Sequence, residues 1–165
     1  MKKEMLPTAL VGGMTVKTDC KIDFFGNVDE LQAYIMNLYH YVDDEELKKY
    51  LIIIVKNLSK MMGIVAGSSS TFSEEELNEL LKMIDKYLML TGKLTCFSLP
   101  GLIKLSSKIH IVRTVCRRAE RSYAKVYETY GGNNYIFEYL NKLSTFFYNL
   151  ALYYEKGIDE RDRIC

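Results

Sequence analysis

The sequence predicts an all-α protein built as an antiparallel bundle of five helices, two of them long. Apolar residues recur at helical spacing over most of its 165 residues, and the alternating pattern of strands is nearly absent. Residues that start and end helices separate these periodic segments. A chain of this length can bury a sizeable core, so we expect residues 1–165 to form one helical-bundle domain.

The five helices are predicted to lie within residues 27–156. The preceding residues 1–26 contain glycines and are predicted to be irregular, with a turn at Gly12-Gly13. Residues 157–165 are predicted to form a tail. The helical part of the chain is therefore expected to begin after Gly26.

The first three helices are each predicted from a start signal followed by an apolar repeat. The first runs from Val28 to about Tyr41, the second ends near Gly67, and Gly92 closes the third. Side-chain oxygens at a helix start accept hydrogen bonds from the free N–H groups of the first turn. Three pairs of residues have the spacing of such a start: Asn27 with Glu30, Asp43 with Glu46, and Ser73 with Glu76.

The last two helices follow a linker over residues 93–105, where Pro100-Gly101 interrupts both helix and strand. The fourth helix is predicted over about residues 106–130 and is stopped by Gly131-Gly132. The fifth is predicted over about residues 134–156, with an apolar face at helical spacing.

The composition argues against several classes of function. A formal net charge of +1 disfavours bulk nucleic-acid binding. The strongest apolar run, residues 50–55, is too short for a membrane span, and the first residues lack the apolar core of a signal peptide. Four scattered cysteines indicate reduced thiols in a cytoplasmic protein, and no cluster has the spacing of a metal site. His110 lies beside apolar positions and is expected to be packed rather than to be a ligand.

One helical segment concentrates arginine. Arg113, Arg117 and Arg121 follow at i, i+4 and i+8 and line one stripe, with Arg118 and Glu120 beside it. Arginine keeps its charge and presents a rigid fork of donors that fits phosphate oxygens. The stripe therefore indicates a site for a polyanion such as a nucleotide triphosphate. The alternative is a solvated helix face on which Glu120 pairs with a neighbouring arginine.

The arginine segment is one of four that share a further pattern. They are Gly26-Asn-Val-Asp29-Glu30-Leu31, Phe97-Ser-Leu-Pro100-Gly101, Arg113-x-x-x-Arg117-Arg118-Ala-Glu120-Arg121, and Leu140-Asn141-Lys142-Leu143-Ser144. In this order they resemble segments of the PduO-type ATP:cob(I)alamin adenosyltransferase family. Upstream, Gly12-Gly13 and Val16-Lys17-Thr-Asp19 are similar to two further segments of that family. The resemblance covers roughly residues 8–156.

The resemblance implies a fold, a reaction and partners. The fold is a five-helix bundle of ferritin-like appearance, assembled as a homotrimer with active sites between subunits. The reaction transfers the 5′-deoxyadenosyl group from ATP, used with Mg²⁺, to reduced cob(I)alamin or a related corrinoid and releases triphosphate. Implied partners are a reductase or a cobalamin-dependent enzyme, with no nucleic acid and no membrane.

The same resemblance implies roles for individual residues. Phe97 would press against the lower face of the corrin ring and favour a four-coordinate cobalt that is easier to reduce, and Arg117 would serve catalysis. Asp29 and Arg113 would form a pair across the subunit interface. The residues that match ATP-contacting positions are Thr8, Lys17, Arg117, Glu120, Arg121 and Asn141.

The chain departs from the family pattern mainly at its first residues. The family's Thr-x-Thr-Gly-Asp-x-Gly-x-Thr loop is replaced by residues 2–8, in which Pro7 lacks a backbone donor and Thr8 is retained. Two further hypotheses therefore stand beside the enzyme: a non-catalytic relative that binds a corrinoid or nucleotide as a carrier or sensor, and a helical bundle without a ligand. Other departures are Glu4, Leu6, Leu102, Thr145 and Leu152.

Overall fold

The computed structural model describes residues 7–10, 13–92, 97–158 and 163–164, without the side chains at 97, 98, 163 and 164. Helices dominate the described chain, which confirms the predicted all-α fold. They are α1 (Cys20–Tyr39), α2 (Glu45–Val65), α3 (Glu74–Thr91), α4 (Lys104–Tyr130) and α5 (Asn134–Tyr154). None of these described helices is long and apolar enough to cross a membrane.

Two short antiparallel strand pairs lie outside the helices. Strand β1 (Pro7–Leu10) pairs with β2 (Gly13–Val16), and strand β3 (Phe97–Ser98) pairs with β4 (Arg163–Ile164). The first pair lies within the segment predicted to be irregular. Strands this short leave too few alternating positions to be recognised from the sequence.

Helix α4 is the central element of the bundle. It packs along α1 and along α5, while α3 packs on α5 and α2 packs on α1. Only residues 131–133 separate α4 from α5, so these two helices run antiparallel. Helix α4 buries residues at helical spacing, among them Val112, Cys116 and Ala119. The opposite face of α4 is therefore left for polar side chains.

The first helix begins earlier than the sequence indicated. It starts at Cys20 and not at Val28, and Asn27 consequently lies inside the helix instead of capping it. The observed cap is Asp19, whose Oδ1 accepts a hydrogen bond from the Lys21 N–H at 2.8 Å. That backbone hydrogen bond is the largest factor that lowers the pKa of Asp19.

Burial explains why α1 extends in this direction. Phe24 lies one helical turn before Val28, and both side chains are fully buried in the core. The Phe24 ring also packs against the ring of Tyr123 on α4, with 5.3 Å between the centroids. These contacts hold the first turns of the helix, so the later capping-type pair at Asn27 is overridden by tertiary packing.

The remaining helix ends agree with the sequence to within two residues. Asp44, rather than Asp43, caps α2, and its Oδ1 accepts hydrogen bonds from the Glu46 and Leu47 N–H groups. Gly92 follows α3 and Gly131 follows α4, as predicted. Helix α4 starts at Lys104 instead of Ser106, and α5 ends at Tyr154 instead of Lys156.

The predicted capping box at the start of α3 is confirmed. The Ser73 hydroxyl accepts from the backbone of the first turn, and the Ser73 N–H donates to Glu76 Oε2 at 2.9 Å. The Glu76 carboxylate also pairs with Lys60 of α2. This cluster ties the start of α3 to α2.

We expect Ser73→Ala to lower the free energy of unfolding by about 1 kcal/mol, because it removes the cap of α3. Denaturant unfolding followed by circular dichroism measures the change. Ser69→Ala, in the exposed loop before α3, is the matched control and should have little effect. Equal losses in the two variants would contradict the capping role.

The lowered pKa of Glu76 predicts that its contribution to stability changes at acid pH. Burial would raise its pKa, but the Lys60 ion pair and the Ser73 hydrogen bonds outweigh burial and lower the pKa from 4.5 to about 2. A carboxylate with a depressed folded-state pKa stabilises the protein above its unfolded pKa and loses that contribution as pH falls. The stability difference between the wild type and Glu76→Gln should therefore shrink as pH falls from 4.5 to about 2. A difference that stays constant over this range would contradict the assignment.

Candidate functional site

Two of the three arginines in the predicted stripe lie on the exposed side of α4, and the third, Arg113, is half-buried. Arg117 and Arg121 are exposed, while the nearby Cys116 and Ala119 face the core. Within the described residues, neither Arg117 nor Arg121 forms an ion pair with a carboxylate. Their donors therefore remain available to an anion.

Arg118 differs from its neighbours because it is neutralised. Its guanidinium pairs with the Glu30 carboxylate of α1. Both residues belong to segments that carry the family resemblance, and the pair joins α1 to α4 on the surface. The sequence assigned no role to Arg118, and the structure shows that it forms this ion pair.

Glu120 is held by α5 and not by an arginine. Its Oε1 accepts a hydrogen bond from Asn141 Nδ2 at 2.8 Å. Within the described chain the alternative pairing of Glu120 with a neighbouring arginine does not occur. Two residues that match ATP-contacting positions are consequently brought together across the α4–α5 contact.

Arg113 and Asp29, the predicted interface pair, do not pair within the described chain. Asp29 is exposed on α1. Arg113 is half-buried, its Nε has no hydrogen-bond partner among the described residues, and its guanidinium carbon lies 5.9 Å from the centroid of the Tyr148 ring. A partner for either charge would have to come from outside this part of the chain.

The N-terminal strands place Thr8 and Lys17 at the C-terminal end of α4. Thr8 lies in β1, and Lys17 lies in the exposed turn between β2 and α1. Asp19 fixes this turn, because its Oδ2 accepts hydrogen bonds from the Thr15 and Tyr130 hydroxyls at 2.8 Å each. Tyr130 is the last residue of α4.

Residues 97–103, which directly precede α4, lie at its other end. The backbone of Phe97 is in β3, whereas the position of its side chain lies outside the described part of the structure. Gly101 has a φ of +89°, and a Cβ there would approach Ser107 Cβ to 2.7 Å. Only glycine fits this position, since both the backbone conformation and the close approach exclude a side chain.

A residue that sequence reasoning missed holds this loop. The Glu155 side chain is 2% exposed, and its Oε1 accepts hydrogen bonds from the N–H groups of Gly101 at 3.3 Å and Leu102 at 3.2 Å. The only signal in the sequence was an acid directly after the apolar face of the last helix. Its partners are more than fifty residues away, so local patterns could not reveal the contact.

His110 lies beside this contact. It is 7% exposed, as expected for a packed histidine, and its Nε2 is 3.8 Å from Glu155 Oε1. Burial lowers the pKa of His110, the nearby Glu155 carboxylate opposes that shift, and Arg113 adds to it. The neutral ring is therefore favoured at this position.

Within the described residues, the predicted site residues are spread along the length of α4. Helix α4 has 27 residues and is about 40 Å long at 1.5 Å per residue. Arg117 lies about 20 Å along the axis from Tyr130, where the turn of Lys17 is attached. The Phe97 loop is attached near Lys104, at the opposite end of α4.

Comparison with known proteins identifies the family. Residues 6–154 match the family described as cobalamin adenosyltransferase. The corrinoid adenosyltransferase of Bacillus subtilis (strain 168) is 32% identical over 152 residues, which span 87% of this chain and 79% of that protein. The corrinoid adenosyltransferase of Citrobacter freundii is 28% identical and spans 87% of this chain and 86% of that protein.

Solved structures agree with the sequence relatives. A variant of the PduO-type ATP:corrinoid adenosyltransferase from Lactobacillus reuteri, complexed with cobalamin and ATP, has a TM-score of 0.82 at 25% identity. The match covers 90% of this chain and 87% of that chain. A second variant of the same enzyme, complexed with ATP, has a TM-score of 0.83 at 26% identity. The chain therefore belongs to the cobalamin adenosyltransferase family.

Proposed function

We propose that this protein transfers the 5′-deoxyadenosyl group of ATP to the reduced cobalt of cob(I)alamin or a related corrinoid and releases triphosphate. The observation that carries the proposal is the pair of exposed arginines, Arg117 and Arg121, one helical turn apart and without a carboxylate partner in the described chain. A solvated helix face would be expected to neutralise these charges locally, as Glu30 neutralises Arg118.

The reaction needs positioning more than acid–base chemistry. Co(I) supplies an electron pair to the ribose 5′ carbon, a Co–C bond forms, and the C–O bond to the triphosphate breaks. The triphosphate leaves with the electron pair of that bond, and cobalt becomes formally Co(III). The protein must therefore orient the 5′ carbon toward cobalt and stabilise charge on the leaving triphosphate.

The residues of α4 and α5 fit this task. Arg117 and Arg121 offer forked donors for phosphate oxygens, with Arg117 as the catalytic contact to the leaving group. Asn141 and Glu120 hold each other at 2.8 Å and border the pocket for ATP. Mg²⁺ would enter with ATP, because it binds phosphate oxygens and water more readily than protein cages. Phe97 would face the corrin ring.

A second copy of the chain is proposed to complete the site, in a homotrimer. The turn that holds Lys17 is attached at Tyr130, about 20 Å along α4 from Arg117, which supports a site completed by a second copy. Asp29 and Arg113 lack a mutual contact in the described chain, which is the arrangement expected of a pair that joins subunits. We further propose a cytoplasmic protein of one domain that receives Co(I) through a reductase or delivers its product to a cobalamin-dependent enzyme.

An anaerobic assay with chemically reduced cobalamin and Mg-ATP tests the function. ATP-dependent loss of the Co(I) absorption band, with adenosylcobalamin confirmed as the product, is the expected result. Retained corrinoid binding without this loss would instead favour a carrier or sensor. Binding of neither ligand would leave a helical bundle without the proposed activity.

Arg117→Ala should weaken ATP binding by roughly 10- to 150-fold, because one charge-assisted phosphate contact is lost. Isothermal titration with ATP measures the change, and circular dichroism checks that the fold is retained. Lys82→Ala, which removes an exposed positive charge from α3, is the matched control and should leave ATP affinity unchanged. Unchanged affinity in Arg117→Ala would contradict the assigned role.

Asp29→Arg should dissociate the homotrimer, because it places two positive charges at the proposed Asp29–Arg113 contact. Three copies of the 19.1 kDa chain give a trimer of 57.3 kDa, which light scattering distinguishes from the monomer. The double variant Asp29→Arg/Arg113→Asp restores opposite charges and should recover the trimer. Dissociation of the double variant to the same extent as Asp29→Arg would contradict the pairing.

A further inference from the structure

The buried Glu155 carboxylate is unusual for its place in the fold. Glu155 is the C-cap of α5, where the partial negative charge of the helix end disfavours a carboxylate. It is also 2% exposed, and burial disfavours an ionised carboxylate unless polar groups bind it. The helix end alone would favour a cation at this position. The carboxylate must therefore be stabilised by the groups that it binds.

The described partners of that carboxylate lie mainly in the loop before α4. Glu155 Oε1 accepts hydrogen bonds from the Gly101 and Leu102 N–H groups, and His110 Nε2 lies 3.8 Å from the same oxygen. Neither ring nitrogen of His110 has a hydrogen-bond partner in the described chain. Among the described residues, the hydrogen bonds of this carboxylate go to the loop backbone.

The same loop is fixed from its other side by α4. Gly101 approaches Ser107 so closely that a Cβ would meet its side chain at 2.7 Å. Glu155 and Ser107 therefore hold Gly101 between the end of α5 and the first turn of α4. Because Phe97 lies only four residues earlier, the placement of Gly101 restricts where Phe97 can lie.

We propose that Glu155 is a positioning residue for corrinoid use: it fixes the loop of residues 97–102 so that the loop can support the corrin ring. This inference rests on the proposed function, because it assigns the loop to the corrinoid. Glu155 acts through the backbone of Gly101 and Leu102 and need not touch either substrate. ATP binding, which depends on the arginines of α4, should not require it.

The first test measures the contact itself in the full-length protein. Hydrogen–deuterium exchange by NMR should show the Gly101 and Leu102 amides exchanging roughly tenfold faster or more in Glu155→Ala than in the wild type. Glu155→Gln keeps an acceptor oxygen and should fall between the two. Glu76→Gln, which alters another carboxylate bound to backbone, is the matched control and should leave both amides unchanged.

The second test separates positioning from stability. Glu155→Ala should raise the KM for cob(I)alamin roughly tenfold and leave the KM for ATP within about twofold of the wild type. It should also weaken the signature of four-coordinate Co(II) when cob(II)alamin and ATP are added, as seen by electron paramagnetic resonance. Glu155→Gln should recover part of both losses. If Glu155→Ala does not fold, the same comparisons are made between Glu155→Gln and the wild type.

Several results would overturn the proposal. One is unchanged amide exchange at Gly101 and Leu102 in a folded Glu155 variant. Another is an equal rise of both KM values, or a stability loss with unchanged use of cob(I)alamin. If the wild type itself shows no turnover, the proposed function fails. Amide exchange and cob(II)alamin binding then still decide the role of Glu155, and unchanged binding in Glu155→Ala would reject it.

Discussion

The packing of α4 between α1 and α5 is the constraint on which the rest of the structure depends. Burial of Val112, Cys116 and Ala119 fixes the rotation of α4 about its axis. That rotation leaves Arg117 and Arg121 exposed, and their side chains meet no carboxylate in the described chain. The hydrophobic core therefore determines the direction in which the anion-binding face points, although it contributes no charge to it.

Sequence patterns predicted the parts of the fold that local chemistry controls. The capping box at Ser73 and the glycine after α4 depend on neighbouring residues and were identified correctly. The predicted start of α1 was wrong. Phe24 packs on Tyr123, so the helix begins before the plausible local cap at Asn27. A contact between distant residues decided that boundary, and no local pattern reports it.

The candidate site divides in the same way. The spacing of the arginines predicted that Arg117 and Arg121 share one face of α4, and the resemblance led to Asn141, which the structure brings to Glu120. The role of Glu155 was not predicted, because its partners Gly101 and Leu102 are more than fifty residues away in the sequence. The separation of Lys17 from Arg117 could not be predicted from the sequence either. It follows from the length of α4 and from the attachment of the N-terminal strands at the end of that helix.

Because of that separation, we expect each active site to be built from two copies of the chain. Mixing of variant subunits tests this expectation most directly. Arg117→Ala and Lys17→Ala chains would be unfolded, mixed in equal amounts, refolded and assayed anaerobically with Mg-ATP and cob(I)alamin. The account predicts that the mixture regains adenosyl transfer at roughly a quarter of the sites, because random assembly places an intact Arg117 opposite an intact Lys17 from another copy. A mixed trimer no more active than either variant alone would contradict a site built from two copies.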